Sequence, residues 1–101
     1  MAKMNPWVPM SDPVDLKILG KLLEELGELS AAASRCLIQG ANEAEPVTGK
    51  INSDWLAEEI ADVKAGLLLT IQRFDLDRAK IDARMVIKYQ GLHQWHKMVD
   101  K

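Results

Sequence analysis

The chain has 101 residues, 48% hydrophobic and 28% charged, with a formal net charge of -2. That is the composition of one small globular domain, and the charge gives no electrostatic reason to bind a nucleic acid polymer, which takes clustered Lys and Arg. The single cysteine, Cys36, excludes an internal disulfide framework and fits a reducing, cytoplasmic setting. No apolar run approaches the roughly 18 residues of a membrane span, and the opening MAKMNPWVPMSDP lacks the apolar core of a secretion signal.

We read residues 1–101 as one domain. Residues 1–11 are expected to be irregular, because Pro6 and Pro9 block a helix. Asp12 and Pro13 then read as a helix start, an N-cap residue followed by proline, with Asp15 at the positive end of the dipole. Leu16, Leu19, Leu23, Leu26, Ala33 and Leu37 recur at helical spacing and predict a first helix over about 12–39, ending near Gly40. Residues 40–52 read as a loop. Asn52 or Ser53 is the expected cap of a second helix over about 53–74, striped by Leu56, Ile60, Val63, Leu67, Ile71 and Phe74. Asp75 is the expected cap of a third over about 76–99, with Ile81, Met85, Leu92, Trp95 and Val99 as its apolar positions and Gly91 as a weak point. Strand-type alternation is absent, so the class is all-α.

Helix one carries a second apolar row, Ile18, Leu22, Leu29 and Cys36. Its apolar arc spans roughly 140° on a helical wheel, wider than one neighbour needs. This favours antiparallel helices in a four-helix bundle completed by homo-oligomerisation over a three-helix monomer.

The acidic residues of KLLEELGELS demand a reason, since like charges at helical spacing repel. Glu25 falls at the edge of the apolar arc and Glu28 about 60° further out, while Glu24 points toward solvent. In WLAEEIADV the pattern returns: Glu59 and Asp62 flank the stripe and Glu58 points away. On antiparallel neighbours the two pairs face each other, and four carboxylates beside a core need cations to stay ionised. Oxygen ligands of this kind select Mg²⁺ or Mn²⁺. The bland alternative is the wet side of two amphipathic helices. A di-iron bundle would call for Glu-x-x-His pairs, and neither acidic pair here ends in histidine.

These residues resemble a known family. EELGE followed by EIAD, in the contexts LLEELGELSAAASR and WLAEEIADVKAGLL, is similar to the bipartite motif of the MazG-like all-α nucleotide pyrophosphohydrolases, over roughly residues 14–92. The resemblance implies a homodimer or homotetramer built on four-helix bundles. It implies Mg²⁺-dependent hydrolysis of a ribo- or deoxyribonucleoside triphosphate to the monophosphate and pyrophosphate, by metal-activated water attack at the α-phosphate. The implied metal ligands are Glu25, Glu28, Glu59 and Asp62, with Glu24 a further ligand or an orienting neighbour; Glu25 or Glu28 would accept the water's proton. A phosphoribosyl-ATP pyrophosphohydrolase is a close relative. The rival from another class is a non-catalytic MazG-like helical dimer that senses nucleotides or binds a protein. The chain departs from the family pattern twice. The spacer between Glu28 and Glu59 is long, at 30 residues, and Gly66 stands where many relatives carry an aromatic residue. The base and sugar preferred are therefore left open.

A triphosphate needs cationic partners. Lys21 lies one turn before Glu25; Lys50 is in the loop; Arg73 is placed on the Trp55 and Glu59 side; Lys80, Arg84 and Lys88 form a basic stripe on helix three. The resemblance favours Arg84 and Lys88, set against an ordinary solvated face. Trp55 and Trp7 are candidates to stack on a base or ribose, or to pack against a partner subunit. His93 and His96 have no third metal ligand in sight and read as exposed residues.

Overall fold

The computed structural model describes residues 6–97, and these form three helices without a strand: α1 (Pro13–Gln39), α2 (Asn52–Arg73) and α3 (Arg78–His96). The expected apolar position Val99 and the last residues of the third helix lie outside the described residues. Asp12 caps α1 as its sequence signature requires. Its carboxylate accepts from the backbone N–H groups of Val14 and Asp15 at 2.9 and 3.0 Å, with Pro13 opening the first turn. Gly40, at φ 102°, ends the helix, and its N–H donates to the Cys36 carbonyl.

Two caps differ from the sequence expectation. Neither Asn52 nor Ser53 caps α2: the capping position falls on Ile51, which makes no side-chain cap bond. The Asn52 side chain, fully buried, turns back to donate to Gln39 Oε1 and the Gly40 carbonyl, both at 3.1 Å. It satisfies the end of the preceding helix instead of the start of its own. Asp75 does not cap α3 either. It sits in the left-handed region at φ 49°, where the chain turns out of α2, and Asp77 caps α3 by accepting from Lys80 N–H at 3.1 Å.

Helices α1 and α2 pack as an antiparallel hairpin clasped at both ends. At one end stands Asn52; at the other, Arg73 donates to Asp15 Oδ1 at 2.6 Å and to Asp12 Oδ1 at 3.1 Å. Midway, a Cβ built on Gly66 would lie 3.4 Å from Leu22 Cδ1 and 4.0 Å from its Cα, ordinary contact distances, so the two helices pass closely here with room for a methyl group. The connection between the helices is ordered by its own polar groups. The Glu45 carboxylate accepts from the Val47 and Thr48 N–H groups and the Thr48 hydroxyl, and Ala44 forms a bridge with Ile51.

The hydrophobic core is thin. Among the described residues, Ala32 and Val63 are the buried apolar side chains, against buried Asn52, Glu59 and Thr70. Helix α3 leaves the hairpin and buries none of its described side chains. Ile81, Met85, Val86, Ile87, Tyr89 and Leu92 are exposed around its circumference, not gathered on one stripe. The Cα radius of gyration is 18.1 Å, where a compact chain of this length has about 13 Å.

Candidate metal centre

Because α1 and α2 run antiparallel in this register, each contributes a pair of carboxylates one turn apart to the same stretch of groove. Glu25, Glu28, Glu59 and Asp62 each place one carboxylate oxygen within 4.8 Å of the others. A cluster of this kind can coordinate a divalent cation. Glu59 is only 9% exposed and Glu25 is half-buried, whereas Glu28 and Asp62 open to solvent. Oε2 of Glu25 and Oε2 of Glu59 are buried without a hydrogen-bond donor. Buried carboxylate oxygens lacking a donor are costly, and a hard cation is the partner that an all-oxygen donor set accepts.

The electrostatics point the same way. The Glu28 carboxyl is held above the usual glutamate value, first by the charge of Glu25, then by desolvation and the charges of Glu59 and Glu24. Within the cluster the compensating positive charge is Lys21, whose Nζ lies 3.3 Å from Glu25 and 3.4 Å from Glu24. Lys21 is raised above the ordinary lysine value by those two contacts, Glu25 foremost. Glu24 itself is exposed on the far side of Lys21 and outside the four-oxygen cluster.

Two clefts flank the carboxylates along the groove. One, of about 360 Å³, is lined by Lys21, Glu25, Asp62, Ala65, Gly66 and Leu69. The other, of about 350 Å³, is lined by Glu28, Ala31, Arg35, Trp55 and Glu59. Trp55 thus stands beside the cluster, its ring approached by Arg35 Cζ at 5.1 Å and Lys50 Nζ at 4.4 Å. Lys50 is also paired with Glu58.

The remaining sequence candidates are placed elsewhere. Arg73 is engaged with Asp12 and Asp15 at the other end of the hairpin, because about three further turns of α2 carry it past Asp62 and the cluster. Arg84 and Lys88 line a hollow on α3 together with Ile87, Gly91, Leu92 and Trp95, and within one chain this hollow shares no residue with the carboxylate groove. Trp7 is 92% exposed. His93 packs edge-on against Tyr89 at 4.4 Å, and the His96 side chain lies outside what the structure describes.

Sequence reasoning passed over two residues. Arg35 follows Glu28 by seven positions, which is two helical turns on the same face, so its spacing carried the signal. Asn52 carried none beyond its helix-start residue type. Comparison of the chain with protein-family models, with curated proteins and with solved structures gives no significant match.

Proposed function

We propose that this chain is a Mg²⁺-dependent nucleoside triphosphate pyrophosphohydrolase of the MazG-like kind, converting a ribo- or deoxyribonucleotide triphosphate to its monophosphate and pyrophosphate. The observation that carries the reading is the convergence of Glu25, Glu28, Glu59 and Asp62 within 4.8 Å, with two buried oxygens lacking donors. Glu25 and Glu59, the two less exposed, would hold the inner side of the ion, with Glu28 and Asp62 closing it from solvent; Mn²⁺ would substitute. When bound, the ion supplies neutralisation of phosphate charge and acidification of a water.

The chain's own residues do the rest. Glu28, exposed at the mouth of the cleft, is better placed than Glu25 to accept a proton from a water there, since the free oxygen of Glu25 is buried. Lys21 restrains Glu25 and Glu24 through its ammonium group. The exposed apolar residues of α3, together with Leu16, Leu23 and Leu26 of α1, support a homodimer or homotetramer in which a second copy covers them. In such an assembly Arg84 and Lys88 would be available to a neighbouring groove.

The test is pyrophosphate release from a panel of ribo- and deoxyribonucleoside triphosphates, with and without Mg²⁺, beside a Glu59→Gln control. Metal-dependent release that the control lacks is the expected result. Release from no nucleotide, in a protein that still binds the metal, would favour a nucleotide-sensing or protein-binding role.

A further inference from the structure

The cations near the carboxylate groove are not equivalent. Lys21 is paired with Glu24 and Glu25, and Lys50 with Glu58. Arg35 forms no ion pair with any described residue, and its Nε is buried with no hydrogen-bond partner. Its charge acts on Glu45, but that carboxylate is already committed to Thr48 and to the backbone of Val47. An uncompensated guanidinium that is partly buried is unfavourable unless something anionic completes it.

The surroundings specify what that something is. Arg35 and Trp55 line the 350 Å³ cleft together with Glu28 and Glu59. Trp55 Nε1 is likewise buried and without an acceptor. The cleft therefore offers a full positive charge, on a guanidinium that forms no ion pair with a described residue. A matching ligand brings several acceptor oxygens and net negative charge, and it lies next to the carboxylates without carrying a positive charge of its own to neutralise them. The Trp55 ring meanwhile has two cations over it, Arg35 and Lys50, so it serves as a mount for positive charge.

We propose that Arg35, held in place by Trp55, binds the phosphate chain of the substrate directly beside the metal centre, with Lys50 flanking it. This assignment rests on the metal-centre reading above and adds to it the direction of the substrate: its anionic tail enters the Arg35 cleft, and its nucleoside lies away from it. A planar guanidinium matches phosphate oxygens in pairs, which a lysine at the same place does not.

Isothermal titration calorimetry on the full chain tests it with three probes: Mn²⁺ alone, inorganic tripolyphosphate with saturating Mg²⁺, and an uncharged nucleoside. Arg35→Gln is expected to weaken tripolyphosphate roughly 10- to 100-fold, the scale of a lost hydrogen bond to a charged group. Mn²⁺ affinity should stay level or tighten, because a neighbouring cation has gone. Arg35→Lys should recover part of the loss, and Trp55→Leu should weaken tripolyphosphate by a smaller factor. Circular dichroism melting of each variant separates these losses from unfolding. Unchanged tripolyphosphate affinity in Arg35→Gln, or an equal fall in Mn²⁺ affinity, overturns the proposal; the first result leaves the metal centre standing. Nucleoside affinity lost with tripolyphosphate retained also overturns it, by giving the cleft to the base. Wild-type protein that binds no Mn²⁺ but binds tripolyphosphate through Arg35 would sink the metal-centre reading and leave the anion site.

Discussion

The α1–α2 hairpin and α3 are built from similar material and end up differently. Both regions have capped helices and enough apolar residues, yet the hairpin is fastened and α3 is not. What fastens the hairpin is chiefly polar: Asn52 on the Gln39 and Gly40 end, and Arg73 on the Asp12 and Asp15 end. Among the described residues α3 has no buried side chain, and its Asp77 cap is a bond within the helix itself. A helix forms for local reasons but stays put for tertiary ones. The carboxylates sit in the fastened half, where four side chains can be held in mutual range.

The sharpest way to break that contrast is through the cluster. Glu59→Gln is expected to abolish Mg²⁺-induced thermal stabilisation and to lower pyrophosphate release by more than about 100-fold, since changes to supporting residues alone cost 10- to 100-fold. Next comes Asn52→Ala, which removes both bonds of a fully buried clasp. It should destabilise the fold by about 1–3 kcal/mol in urea denaturation, while Met85→Glu on α3 should leave the hairpin's amide protection intact and instead lower the sedimentation coefficient. In hydrogen exchange at low protein concentration, α3 amides should exchange well before those of α1 and α2.

A smaller effect concerns the Arg73 clasp. The Asp12 carboxyl is held below its ordinary value of 3.8, first by the Asp15 N–H, and also by the Val14 N–H and Arg73. Its contribution is therefore present in full above that value and lost as pH falls through the lowered one. The stability difference between wild type and Asp12→Asn should therefore close as pH falls through that lowered value. The smallest change is expected for Gly66→Ala. The added methyl meets Leu22 at ordinary contact distance, and the gain in helix propensity is at most about 1 kcal/mol. A bulky residue there has no room unless α1 shifts.

The four carboxylates were legible in the sequence because their spacing and their place beside apolar stripes are properties of a helix, and a helix is local. The helix limits were legible for the same reason, within a few residues. Asp75 and Asp77 both have the chemistry of a cap, and only the backbone decides which of them stands where the chain re-enters helix. Arg73 was read by its angle around α2, which is right, but its height along the axis takes it to Asp15. Arg35 stands two turns after Glu28 on the same face of α1, but its approach to Trp55 depends on the loop that returns the chain. The detachment of α3 was not legible at all. Its apolar residues are spread around the helix, and residue type does not say which molecule covers them.

Both clasps and all four carboxylates fall between residues 12 and 73. The contacts that build the site are thus those of a single helical hairpin. Helical hairpins of this kind have low contact order and fold quickly, and a chain emerging from the ribosome folds in the order it is made. The carboxylates can therefore come together through contacts made by α1 and α2 alone, before α3 has docked on anything.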